Sequence, residues 1–67
     1  MTIQITIVGL GQIGGSMGLA LAAHKEQVIR VGHDRHLEVA RQAERMGAID
    51  RVEFNLPTAV RGADLVL

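Results

Sequence analysis

Three glycines, Gly9, Gly11 and Gly14, stand between two apolar runs of different period. Before them, Ile3, Ile5 and Ile7 alternate with Gln4 and Thr6, and Val8 closes the run. That is the pattern of a strand rich in β-branched residues. After them, a stretch from about Gln12 to Ala23 places Ile13, Met17, Ala20 and Leu21 on one broad apolar surface, as a helix packed on a sheet requires. Strand, glycine turn and helix, in that order, form the setting in which G-x-G-x-x-G holds a dinucleotide. Gly9 turns the chain sharply off the strand. Gly11, without a Cβ, lets a pyrophosphate approach the backbone, and Gly14 lets the helix lie close on the strand. The unpaired N–H groups and positive dipole end of the helix then face the phosphates. The candidate cofactor-binding residues of this stretch are Gly9, Leu10, Gly11, Gln12, Ile13, Gly14 and Ser16. Gly14 and Gly18 also form a G-x-x-x-G pair, which here lets helix and strand approach.

The fingerprint calls for an acid about twenty residues further on. Asp34 lies twenty residues after Gly14, beyond a second apolar run, Val28-Ile29-Arg30-Val31-Gly32, within a second strand from about Gln27 to His33. A carboxylate there accepts from the ribose hydroxyls of the adenosine half and repels a 2′-phosphate, so the expected cofactor is NAD rather than NADP. Arg35 can stack on adenine, pair with a 2′-phosphate or extend into solvent. The plainer alternative is a tight strand-to-helix turn, with Asp34 serving only as a helix cap. His33 lines the adenosine side or faces solvent, and Ser16 contacts phosphate or simply packs. His33 and His36 flank Asp34, but no third and fourth ligand of suitable geometry is evident, so no metal site is expected. No catalytic group is expected within these residues either.

The rest of the chain completes a β-α-β-α-β-α-β order. A second helix is expected over about His36–Met46, with Val39, Ala40, Ala43 and Met46 on one face and Gly47 just past its end. Arg51–Phe54 is a candidate short strand. Pro57 opens a helix over Thr58–Arg61, Gly62 ends it, and Leu65–Leu67 forms a fourth strand. His24 and Lys25 close the first helix, where positive charge suits the dipole. With right-handed crossovers the fold class is α/β, a partial Rossmann-type doubly wound parallel sheet of four strands in the order 3-2-1-4. Apolar residues make up 48% of the 67, enough for half such a sheet rather than the whole. Residues 1–67 are therefore expected to be the N-terminal part of an NAD(P)-binding domain, without a substrate domain. Seven basic and seven acidic residues balance, with no basic stripe for nucleic acid. No cysteine is present. The apolar stretch Ile13–Ala23 is too short and glycine-rich to span a bilayer. A cytoplasmic protein without a membrane or nucleic-acid partner is expected.

Gly9-Leu10-Gly11-Gln12-Ile13-Gly14-Gly15-Ser16-Met17 resembles the opening of the prephenate dehydrogenase family, which includes the arogenate dehydrogenases. Val31-Gly32-His33-Asp34-Arg35, Ala43 to Asp50 and Gly62-Ala63-Asp64-Leu65-Val66 continue the likeness. The resemblance implies an enzyme that oxidatively decarboxylates prephenate or arogenate with NAD on the way to tyrosine, and a homodimeric parent. The family's catalytic histidine is matched by none of His24, His33 and His36, so the resemblance implies that residues 1–67 alone are inactive. His36-Leu37 departs from the family's frequent Asn-Pro, and Lys25-Glu26-Gln27 from its glycine-containing loop. The alternatives are the β-hydroxyacid dehydrogenase group, whose opening also reads Gly-Leu-Gly-x-x-Gly, and a non-enzymatic NAD(P)-sensing module. The Gly15-Ser16 pair favours the prephenate family.

Overall fold

The structure, a computed structural model, describes residues 2–24 and 26–67, with Ile13 described by its backbone only. The expected roles of Lys25 and of the Ile13 side chain therefore lie outside the described residues. The elements are β1 (Ile3–Val8), α1 (Gln12–Ala20), a 3₁₀ turn (Leu21–His24), β2 (Val28–His33), α2 (Leu37–Arg45), β3 (Arg51–Val52), α3 (Leu56–Arg61) and β4 (Leu65–Val66). All strand pairs are parallel and the sheet order is β3-β2-β1-β4, the order expected for half of a doubly wound sheet.

The register sorts the side chains between two faces. Ile5 and Ile7 lie beside Arg30 and Gly32, while Thr6 and Val8 lie beside Val31 and His33. Right-handed crossovers running from β1 to β2 to β3 put α1 and α2 over the first face. There Ile5, Ile7, Leu10, Val28, Ala40, Ala43, Ala48 and Ile49 form the core. The return from β3 to β4 reverses direction and carries α3 over the other face. Buried Ala59 of α3 accepts a 2.8 Å hydrogen bond from the Thr6 hydroxyl through its carbonyl.

Helix ends differ from the sequence expectation for identifiable reasons. α1 ends at Ala20 rather than Ala23, because the Leu21 N–H is shared among the carbonyls of Met17, Gly18 and Leu19 and the chain tightens into 3₁₀ geometry. α3 begins at Leu56, two residues early. Asn55 caps it, its Oδ1 accepting from the Thr58 N–H at 2.9 Å, and Pro57 sits within the first turn, where no intrahelical N–H is needed. β3 is shorter than the Arg51–Phe54 run, and Phe54 instead lies under the Arg41 guanidinium. α2 ends as expected on Gly47, whose φ of +79° suits glycine. The Gly47 N–H bonds the Glu44 carbonyl and the Ala48 N–H bonds the Ala43 carbonyl, the paired closure of a Schellman motif.

One residue of the apolar β2 run is a buried cation. Arg30 is 3% exposed. Its guanidinium donates to the Gly18 carbonyl at 2.9 Å, to the Gly47 carbonyl at 2.6 Å and to both oxygens of Asp50. It thereby satisfies carbonyls near the ends of α1 and α2 from the strand between them. Gly18 has a related task. A Cβ there would strike the Ala48 carbonyl, so its small size serves contact with the loop after α2, not with a strand as the sequence suggested.

Candidate functional site: the glycine turn and Asp34

The turn from β1 into α1 is held by backbone geometry. Gly9 has φ +86°, a left-handed conformation that side chains disfavour, and its N–H donates to the His33 carbonyl at 2.8 Å. Gly14 is buried. A Cβ on it would land on the Gly9 carbonyl and 3.3 Å from Ile7 Cγ2, so only glycine lets α1 start this close to β1. Gly11 is the opposite case: a Cβ there would have nothing within 4 Å. It is the N-cap of α1 and supplies no side-chain cap to the first-turn N–H groups. Leu10 turns its side chain into the core. The Ser16 hydroxyl donates back to the Gln12 carbonyl at 2.8 Å, which leaves its lone pairs for any further contact.

Asp34 reaches across from the end of β2 to this turn. Its Oδ2 accepts from the Leu10 N–H at 2.9 Å, and its Oδ1 accepts from the His36 N–H at 2.8 Å. The His36 Nδ1 stands 3.3 Å from the same Oδ1. Asp34 thus ties the glycine turn to the start of α2, a structural duty in addition to the one expected from sequence. A cavity of about 350 Å³ opens beside it, lined by Val8, Gly9, His33, Asp34, Arg35, His36 and Leu56. A larger groove of about 580 Å³ runs between α1 and α2, past Gly11, Gln12, Gly15 and Ser16. Its walls are mainly apolar and it does not include Asp34, so the smaller cavity is where a carboxylate can meet a ribose. The His33 Nδ1 lies 2.9 Å from the Glu53 carbonyl, which ties that ring to the loop after β3.

The backbone N–H of His36, then that of Leu10, holds the Asp34 carboxyl below its ordinary value of 3.8. A lowered folded-state value means that the ionised form stabilises the turn. That contribution is present above the unfolded value and is lost as pH falls through the folded one. In a pH titration followed by NMR, the Leu10 and His36 amide shifts are expected to move together with a midpoint below 3.8. A midpoint above that value would mean that these bonds do not hold the ionised acid.

The chain matches the family model described as NADP oxidoreductase, coenzyme F420-dependent, over residues 4–67. It belongs to this family. Its fold is accordingly that of an oxidoreductase-type, NAD(P)-binding Rossmann domain. No curated protein matches the chain. The family match is broader than the prephenate dehydrogenase resemblance and leaves the choice between NAD and NADP open. Membership gives the glycine turn its chemical context, and the turn fits a dinucleotide on its own geometry. The space a Gly11 Cβ would fill is empty, the start of α1 has no side-chain cap, and Asp34 borders a cavity on the adjoining side. Among the described residues, no group of three or more His, Cys, Asp or Glu is placed to hold a metal ion, and no helix is long and apolar enough to cross a membrane.

Proposed function

We propose that this chain is the nucleotide-binding part of an NAD-preferring dehydrogenase that oxidatively decarboxylates prephenate or arogenate. The observation behind it is the meeting of Asp34 with the glycine turn, an acid at the end of β2 within hydrogen-bond reach of the Leu10 amide. In that position it borders the cavity that Gly9 and His33 also line. The run Gly14-Gly15-Ser16-Met17, with Asp34-Arg35, supports the substrate class by resemblance.

A bound nicotinamide dinucleotide would supply the hydride acceptor. The residues of this chain bind and orient. The N–H groups at the start of α1 receive the pyrophosphate, with Gly11 leaving room for it. The Asp34 carboxylate accepts from ribose hydroxyls and disfavours a 2′-phosphate through like charge. Arg35, exposed and bordering the same cavity, opposes that selection in part.

In the parent enzyme to which this chain is proposed to belong, Asp34→Ser is expected to weaken NAD relative to NADP by about 10–100-fold, equivalent to about 1–3 kcal/mol of coupling. The serine hydroxyl lies one bond nearer the backbone than Oδ2, so Asp34→Asn, which keeps an acceptor at the same reach without the charge, is the control for loss of the Leu10 bond. The measurement is kcat/KM for each cofactor with prephenate and with arogenate. A wild type that favours NADP, or a ratio that the substitution leaves unchanged, removes Asp34 as selector. Turnover of neither acid removes the substrate assignment and leaves nucleotide binding to be judged by affinity.

A further inference from the structure

The Asp34 carboxylate is already crowded. A carboxylate offers about four acceptor directions. One is used by the Leu10 N–H, a second by the His36 N–H, and the His36 ring stands on a third at 3.3 Å. Gripping both hydroxyls of a ribose takes two free directions, so the diol and the His36 ring compete for Oδ1. The ring also stands directly against the acid that sets the preference. It touches the acid that repels a 2′-phosphate, it borders the same cavity, and its side chain is 66% exposed, free to rotate toward a ligand. The other charged or titratable groups lining that cavity, among the described residues, are His33, Asp34 and Arg35. Of these, the His33 Nδ1 is directed at the Glu53 carbonyl.

We infer that His36 is a specificity-determining residue that relaxes the NAD preference set by Asp34. It occupies the acid in competition with the ribose diol and offers a donor to a 2′-phosphate. The inference rests on the reading of this cavity as the adenosine-ribose site. It concerns the side chain alone, because the bond from the start of α2 to Asp34 is made by the His36 backbone N–H, which any substitution except proline keeps. His36 is the N-cap of α2 and makes no side-chain cap bond, so its removal leaves the helix start intact.

The test is the affinity of the purified protein for NAD and for NADP, measured by calorimetry, in wild type, His36→Ala and His36→Lys. His36→Ala is expected to raise the NAD-to-NADP affinity ratio about tenfold, equivalent to about 1.4 kcal/mol. The direction is opposite to that expected for Asp34→Ser. His36→Lys, which restores a side-chain nitrogen donor, is expected to return the ratio to within about threefold of wild type, less than 1 kcal/mol. An unchanged or lowered ratio in His36→Ala, with both nucleotides still bound, overturns the inference and leaves the dinucleotide reading standing. A ratio raised equally by alanine and lysine overturns it too, because loss of the imidazole's shape would then be the cause. Wild-type protein that binds neither nucleotide overturns the dinucleotide reading and the inference with it.

Discussion

A Gly11→Val protein is expected to fold and to lose its dinucleotide. The two glycines three residues apart separate stability from binding. At Gly14 a Cβ collides with the Gly9 backbone, so even alanine there disturbs the turn itself. At Gly11 a Cβ meets no protein atom within 4 Å, and the backbone φ of −71° is open to any residue. The fold therefore accepts a Cβ at this position, and the obstruction expected from valine is to a group from outside the chain. Its stability cost is that of a poorer N-cap, about 1 kcal/mol or less. Its branched side chain fills the approach to the first-turn N–H groups, where the pyrophosphate gains its contacts. Affinity for NAD is expected to fall more than about 100-fold, equivalent to about 3 kcal/mol. Calorimetric titration of folded variant and wild type gives the comparison. Equal affinities would mean that the glycine turn is only a turn.

An Arg30→Met protein is expected to lose most of its stability while keeping every residue of the glycine turn. Methionine fills much of the volume but gives up four charge-assisted bonds at once, to Gly18, Gly47 and both Asp50 oxygens. The cost of removing one partner from a buried ion pair is about 3–5 kcal/mol. The lower end applies here, because the Asp50 side chain is 36% exposed and water can take over part of its solvation. The carbonyls of Gly18 and Gly47 are less fortunate, since they lie where the ends of α1 and α2 close over β2. A domain of this length has only a few kcal/mol of net stability to lose. Urea unfolding should show the midpoint moving sharply down, and a midpoint unchanged from wild type would show that the ion pair contributes nothing net.

The sheet order and the pairing of glycine turn with Asp34 were legible because each rests on a local signal. Alternating isoleucines mark β1, Gly47 marks the end of α2, and fixed spacing links the turn to the acid. Arg30 was not legible. One arginine inside Val28–Gly32 reads as a solvated position, and its acceptors are two backbone carbonyls that leave no trace in side-chain identity. Its partner Asp50 lies in the loop before β3, a contact made only once the βαβ unit has closed. Asn55 was within reach: an asparagine three residues before Thr58 is a capping signal, but Pro57 marked the helix start more loudly. The double engagement of Asp34 could be anticipated only in part. A bond from residue 34 to the residue 36 amide is a local turn habit, whereas the bond to Leu10 requires β1 and β2 to be aligned in register.

If, as proposed, the carboxylate that anchors the Leu10 amide also meets the ribose, selectivity and loop geometry are inherited together. Substitutions at position 34 are open to evolution only among side chains that still present an acceptor at that distance, such as asparagine. An alanine intermediate would leave the Leu10 amide without its partner before any new preference had been gained. Positions 35 and 36 carry no such obligation, since Arg35 is exposed and the His36 anchor is its backbone. Drift between cofactors in descendants of this chain would therefore begin at those two neighbours and reach the acid last.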